Sequence, residues 1–374
     1  MDQGDVVSFD HTGRLRGVFA RIARFVAEGE VNGAALAVAV AGEPVALGFW
    51  GTARPGQAAG PATLWPLASI SKVYTAATVM ALVERGVLTL SLPVHALLPR
   101  FTGDGREAVT LRHLLTHTSG LIYESPEMEE TLLRKTPLDA IVDEALTHPL
   151  QFQPGSRFGY SDYGIALAAR VASLATGRPF PDLMRELVLE PAGLTDTVFP
   201  PPPALYPRVA TVAGVLAEGT DAAMYNSPYA LALAHPAFGV VASVEDLLRF
   251  GLLFRPGAGH RILAEATVRA MTTDQTGGEA RGSLLGVGGD GPVPWGLGFA
   301  LNRPTGQVGF GDLCSPRAFG HPGASGCVVV VDPDHDVALA FVSNRHLNAD
   351  AQRWIFRLSV VVNGVLAALT ARDD

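Results

Sequence analysis

The sequence predicts an α/β fold: an antiparallel sheet formed by the N- and C-terminal segments and flanked by helices, with a mainly helical domain inserted between them. Three observations lead there. Apolar runs of strand length cluster toward the two ends of the 374-residue chain. The stretch between them has helical texture, with glycines where helices would stop. The strand-like runs come as sequential hairpins, which favours antiparallel pairing over a doubly wound parallel sheet.

The elements follow in order. Residues 11–30 read as an amphipathic helix, with Leu15, Val18, Phe19, Ile22, Phe25 and Val26 on one side. Strands at 34–40 and 44–49 form a hairpin around Ala41-Gly42-Glu43. After the non-helical lead-in Leu64-Trp65-Pro66-Leu67-Ala68, an apolar stripe through Val73, Ala76, Ala77, Met80 and Val83 marks a helix that Gly86 closes. Helices are expected at 111–116, 127–133, 138–147, 163–176, 180–189 and 244–254. Pro200 to Pro203 reads as a stiff loop, and 272–294, rich in glycine, as a further loop. Strands return at 296–301, 326–331 and 337–342, the last two joined by a turn at 332–336, and 348–370 closes as a helix. Each hairpin must share one sheet with the other to bury its apolar face. The expected division is therefore a discontinuous sheet domain (1–85 and 285–374) and a helical domain (86–284), with the active site in the cleft between them.

Composition narrows the function classes. Net charge is −8, with no basic run and no aromatic-basic interleaving, so nucleic acid is not an expected partner. No stretch reaches the roughly 20 apolar residues of a membrane span, and the acidic start Met1-Asp2-Gln3-Gly4-Asp5 shows no secretory signal. The expected location is cytoplasmic. The two cysteines, Cys314 and Cys327, lack metal-type spacing and read as reduced thiols.

Only two lysines occur, Lys72 and Lys135, against 26 arginines. Lys72 lies three residues after Ser69, one turn on and on the same helical face. Arginine keeps its proton in a protein, whereas a desolvated lysine can lose it. Ser69 and Lys72 are therefore a candidate nucleophile and base. The alternative is an N-capping serine with a solvated lysine. A second segment, Phe158-Gly159-Tyr160-Ser161-Asp162, precedes an apolar helix. A Tyr160 phenol beside a lysine cation can act as a general base; the alternative is a core tyrosine. In the third, Phe319-Gly320-His321-Pro322-Gly323-Ala324-Ser325-Gly326, glycines allow close approach to a strand backbone. The Ala324 and Ser69 N–H groups are the candidate oxyanion hole; the alternative is a surface histidine at a glycine-rich strand start. Gly286 to Gly291 matches G-x-G-x-x-G but leads into Pro292 rather than a helix, so dinucleotide binding is not expected. His113 and His117 are spaced for a metal but lack an acidic partner, so packing or capping is expected.

Together Ser69-Ile70-Ser71-Lys72, Tyr160-Ser161-Asp162 and His321-Pro322-Gly323 resemble the S-x-x-K, Y-x-N and K-T-G motifs of the serine β-lactamase-related hydrolases, the class C β-lactamase and D,D-peptidase superfamily. The chain is most similar in flavour to the family VIII carboxylesterase branch. The resemblance spans roughly residues 15–345 and includes Arg112 to Leu121, Glu190 to Leu194, Phe238 to Ser243 and Trp295 to Gly298. It implies a β-lactamase/transpeptidase-like fold, a Ser69 acyl-enzyme, Lys72 and Tyr160 sharing the serine proton, and no metal or organic cofactor.

Two departures shape the expected substrate. Asp162 replaces the usual Asn. A carboxylate only accepts hydrogen bonds and holds Lys72 as a cation, leaving Tyr160 the better base. It also disfavours acyl-amide carbonyls and favours donors such as an amine. His321 replaces a permanently charged lysine with a mostly neutral imidazole, which shifts preference from carboxylate-bearing β-lactams to neutral esters. The resulting expectation is an esterase on a small-molecule acyl substrate, with short acyl or aryl groups. Acyl transfer to an amine or alcohol, D-amino-acid amidase or peptidase activity, and non-catalytic acyl-ligand binding remain alternatives, with β-lactamase activity expected to be weak or secondary. Tyr123, the region of Met224 and Tyr225, Gly323 and the loop before Trp295 are the expected substrate surroundings.

Overall fold

Alanine and valine dominate the central strands because both faces of the sheet are covered. In this computed structural model, residues 6–258, 262–277, 280–284, 287–302 and 310–371 are described. The main sheet contains β1 (Val6–Asp10), β2 (Gly33–Val40), β3 (Glu43–Arg54), β4 (Ala300–Leu301), β5 (Phe319–Gly323), β6 (Cys327–Asp332) and β7 (Val337–Ser343). Their order is β1-β3-β2-β7-β6-β5-β4, and every neighbouring pair is antiparallel. A two-residue strand, Gln57–Ala58, pairs with the end of β3. The junction between the chain's two ends is the β2–β7 pair, in register from Ala34↔Ser343 to Val40↔Val337. Both expected hairpins thus share one sheet.

Side chains alternate across that sheet. Ala34, Leu36, Val38, Val328, Val330, Leu339 and Phe341 pack against α1 (Arg16–Ala27) and the C-terminal helix Ala351–Thr370. Ala35, Ala37, Val329, Val331, Ala340 and Val342 face the opposite core, which α2 (Ser71–Glu84), α3 (Asp162–Thr176) and α4 (Val244–Leu252) complete. The closing helix, α5 (Ala351–Thr370), is long and apolar enough to cross a membrane by length and composition. That corrects the expectation that no stretch approaches a span. Here its Trp354, Leu358, Val361, Val362 and Val365 are buried against the sheet.

Several boundaries differ from expectation for local reasons. The first helix begins at Arg16 rather than residue 11, because the Asp10 carboxylate collects the N–H groups of Thr12, Gly13 and Leu15 into a turn. Strand β1, before it, was not expected. The glycine-rich stretch expected as loop contains a hairpin, Arg281–Leu284 with Val287–Pro292; Gly286 of the G-x-G-x-x-G match lies outside the described residues. The strand expected at 296–301 shortens to β4. Gly296 N–H donates to the Phe299 carbonyl (2.9 Å), and Gly298 turns at φ +86°, where a Cβ would sit 2.4 Å from Ala76 Cβ on α2. Both cysteines are free thiols; Cys327 is buried and Cys314 partly so, and burial pushes the Cys327 thiol up to about 11.

Candidate active site

The nucleophile candidate sits on a tight turn. Ala68–Ile70 is a single 3-10 turn leading into α2. Ala68 holds φ +46°, a conformation rare for a residue with a Cβ. A small three-stranded sheet pins the turn from behind: Trp65–Pro66 pairs with Val241–Ala242, which also pairs with Thr197–Val198. Leu67 N–H donates to the Val240 carbonyl (3.0 Å), and Val240 N–H to Ser71 Oγ (3.0 Å). Ser69 therefore lies at the helix start, as the sequence predicts.

Lys72 is fully buried one turn into α2. Its ammonium donates to Ser69 Oγ (2.9 Å) and to the Ala237 carbonyl (3.1 Å), and pairs with Asp162 Oδ1 at 2.7 Å. Burial opposes its charge, but Asp162, then Tyr160, outweigh burial and hold the ammonium above its ordinary value. Burial likewise pushes the Asp162 carboxyl up against the pull of Lys72. Asp162 opens α3, where Ser161 Oγ caps the Gly164 N–H (3.1 Å).

Tyr160 precedes that cap and is buried. The Lys72 ammonium lies 4.8 Å from its ring centroid. Burial raises the phenol above its ordinary value, while the Lys72 charge and hydrogen bonding to Ser69 and Lys72 pull it down. Its hydroxyl is 3.4 Å from His321 Nε2. His321 Nδ1 lies 2.6 Å from the Pro322 carbonyl, so Nδ1 carries the proton and Nε2 accepts. Burial, then the Lys72 charge, lowers His321 to about 3; the imidazole is neutral near pH 7.

Ala324 follows β5 and lines the same cavity as Ser69. Its carbonyl accepts from Leu347 N–H (2.8 Å), and among the described residues its own N–H has no acceptor. Gly323 packs its backbone on the Ser69 turn: a Cβ there would meet the Leu67 carbonyl oxygen at 2.3 Å. The cavity measures about 890 Å³ and is walled by Tyr123, Phe152, Tyr160, Leu216, Met224, Tyr225 and Phe238, with polar groups at Glu124, Arg157, Asp162, His346 and Asn348.

Of the residues singled out by sequence, Ser69, Tyr160, Asp162, Ala324, Tyr123, Met224 and Tyr225 line this cavity. Lys72 lies beneath it. Trp295 does not form a wall: it is wholly buried and backs the site edge-on, its ring 5.9 Å from Tyr160 and 5.5 Å from His321. His321 is also wholly buried and reaches the cavity only through Tyr160. His113 completes a capping box with Thr110, and His117 Nδ1 accepts the Ser161 N–H (3.1 Å), in keeping with structural roles. Sequence reasoning missed Glu124, Phe238 and the Ala237 carbonyl. None belongs to a recognisable motif, though Phe238 opens a segment already noted for its resemblance.

Residues 18–361 match the Beta-lactamase family. The chain belongs to that family. It is 30% identical over 316 residues to Protein Rv1367c of Mycobacterium tuberculosis, covering 75% of this chain and 77% of that one. Esterase EstB of Burkholderia gladioli is 32% identical over 263 residues, 60% of this chain and 66% of its own. A penicillin-binding protein homologue from Caulobacter crescentus superposes with a TM-score of 0.76 at 26% identity, covering 97% of this chain and all of that one. The protein is thus a serine hydrolase of β-lactamase type with the β-lactamase/transpeptidase-like fold, and an enzyme rather than a ligand-binding relative of one.

Proposed function

We propose that the enzyme is a carboxylesterase that cleaves short acyl or aryl esters through a Ser69 acyl-enzyme. The observation that carries this is the 2.9 Å contact between Lys72 Nζ and Ser69 Oγ at the floor of a cavity lined by both aromatic and polar side chains. The similarity to Esterase EstB supports it.

In this reading Tyr160 reacts in its ionised form, a phenolate beside the Lys72 ammonium, and Ser69 Oγ attacks the ester carbonyl carbon as its proton passes to that phenolate oxygen. The carbonyl oxygen becomes an oxyanion between the N–H groups of Ser69 and Ala324, each worth about 3 kcal/mol in a water-poor site. The C–O bond then breaks, and the alcohol leaves with the proton from Tyr160. Water attacks the acyl carbon and gives a proton to Tyr160, which returns it to Ser69 Oγ as the carboxylic acid departs. Lys72 stays an ammonium throughout, held by Asp162 and the Ala237 carbonyl. His321 supplies no fixed positive charge for a substrate carboxylate, which favours neutral esters over β-lactams. We place this activity in the cytoplasm and assign it no nucleic-acid or membrane partner.

Hydrolysis of p-nitrophenyl butyrate tests the reading. Wild-type protein turns it over and shows a butyryl adduct by intact mass. Ser69→Ala, with an unchanged circular dichroism spectrum, loses at least about 10³-fold in rate and forms no adduct. Turnover that survives Ser69→Ala excludes the mechanism.

A further inference from the structure

We infer that Glu124 is a specificity-determining residue that receives a primary ammonium group carried on the acyl part of the substrate, so that aminoacyl esters and amides are preferred over their N-acylated counterparts. The inference rests on the acyl-enzyme reading above.

Glu124 lines the cavity that contains Ser69. Its segment is clamped to the catalytic motif: Asp162 N–H donates to the Tyr123 carbonyl (2.7 Å), and Ser161 Oγ to the Ile122 carbonyl (2.6 Å). The backbone leading to Glu124 is therefore held against the start of α3, and its carboxyl feels the charges of Asp162 and Lys72. Asp162 gives its charge to Lys72 at 2.7 Å. Glu124 has no ion-pair partner among the described residues. The histidines around the site supply no cation, because burial lowers His321 and His235 to about 3 and His346 to about 4. Arg157, also on the wall, is exposed to solvent, where water and salt screen it.

The surrounding walls also suit a cation. Tyr123 and Tyr225 line the cavity with Tyr160, and the Tyr123 and Tyr160 rings lie 5.9 Å apart. Aromatic faces attract ammonium groups through the ring quadrupole. Burial, then the Asp162 charge, pushes the Glu124 carboxyl up to about 8. An ammonium beside it restores the ionised form, so binding releases a proton near pH 7. An attacking amine must be unprotonated, whereas an ion pair keeps its cation protonated. The bound ammonium is therefore not the attacking nitrogen of an acceptor, and the methyl esters compared below, which differ only in the acyl group, isolate the case in which the acyl group carries it.

The test compares kcat/KM for D- and L-alanine methyl esters with the N-acetylalanine methyl esters, in wild type, Glu124→Gln and Glu124→Asp. Wild type is expected to prefer the free amine of at least one enantiomer by tenfold or more. Glu124→Gln is expected to lose most of that ratio, and Glu124→Asp to keep part of it. A ratio near one in wild type, or one unchanged in Glu124→Gln, overturns the inference. A second measurement needs no variant. Propylammonium chloride is expected to protect wild-type Ser69 from a fluorophosphonate label at concentrations where propan-1-ol does not; equal protection overturns the inference. p-Nitrophenyl butyrate, assayed in parallel on wild type, separates the two failures, since its inertness sinks the esterase reading itself.

Discussion

In the proposed mechanism Asp162 determines which residue can take the serine proton. With its carboxylate 2.7 Å from the Lys72 ammonium, the lysine is held above its ordinary value, and burial holds Tyr160 above its own. Each acts on the charge of the other, and the proton-accepting form of either is scarce at pH 7. A base whose pKa lies above the working pH gains active form as pH rises. kcat/KM for a neutral ester should therefore climb by up to about tenfold per unit from pH 7 to 9 without levelling, and Tyr160→Phe should flatten the profile. A plateau below pH 8 would assign the proton to a different group. At this scale the sequence was informative wherever a motif existed. Ser69, Lys72, Tyr160 and Asp162 stand out by type and spacing, and all meet within one site. Glu124 did not stand out, because a glutamate in Tyr123-Glu124-Ser125-Pro126 reads as loop polarity. The bonds from Asp162 N–H to the Tyr123 carbonyl and from Ser161 Oγ to the Ile122 carbonyl bring its segment to the cavity. Trp295 misled for the opposite reason: a tryptophan beside glycines looks like a ligand wall, but its bulk fills the space behind Tyr160.

Strand β5 is the element through which the sheet shapes the site. Its residues pair with β6 from Phe319↔Val331 to Gly323↔Cys327, and its end lies against the Ser69 turn. Trp354 on α5 donates Nε1–H to the Gly323 carbonyl (3.2 Å), so the closing helix braces the same point from the other face. Gly323→Ala would drive a methyl into the Leu67 carbonyl. It should cost about 1–3 kcal/mol of stability by overpacking and lower kcat more than it raises KM, because the displaced groups are the proposed oxyanion donors. Urea unfolding and steady-state kinetics on one preparation check both; wild-type kcat with normal stability would show that the close approach is not required. Elements with strong apolar periodicity were legible, as β2, β7, α2 and α3 show. Those set by a side chain capping a turn or by a contact made elsewhere were not. Asp10 delays the first helix, and the packing of Gly298 on Ala76 shortens β4. The hairpin at residues 281–292 is nearly invisible in a glycine-rich run whose pairing comes from its backbone.

Across the whole molecule, one apolar core joins the sheet to the helical part. It includes Ala37 and Val329 from the sheet, Val73 and Val79 from α2, and Leu167 and Leu187 from the helical middle. Neither part buries its apolar side alone, so heating should give one transition, with near- and far-ultraviolet circular dichroism curves coinciding. Two separated transitions would show that the cleft divides independently stable units. The general plan was readable because two distant apolar hairpins had only each other to pair with, whereas the cavity depends on loops that converge from Tyr123, Tyr225 and His346 without a shared pattern.

The scarcity of lysine has a practical consequence. Lys72 is sealed from solvent, while the Lys135 side chain is 46% exposed and pairs with Asp221. Reagents aimed at side-chain amines on the native enzyme therefore find a single anchor point, well suited to oriented immobilisation. After denaturation, a lysine-specific protease cuts behind the same two positions and leaves Ser69 near the end of fragment 1–72. Any covalent mark on the nucleophile thus travels apart from Tyr160 and His321, and the fragment that gains mass separates attachment at the serine from attachment at either of them.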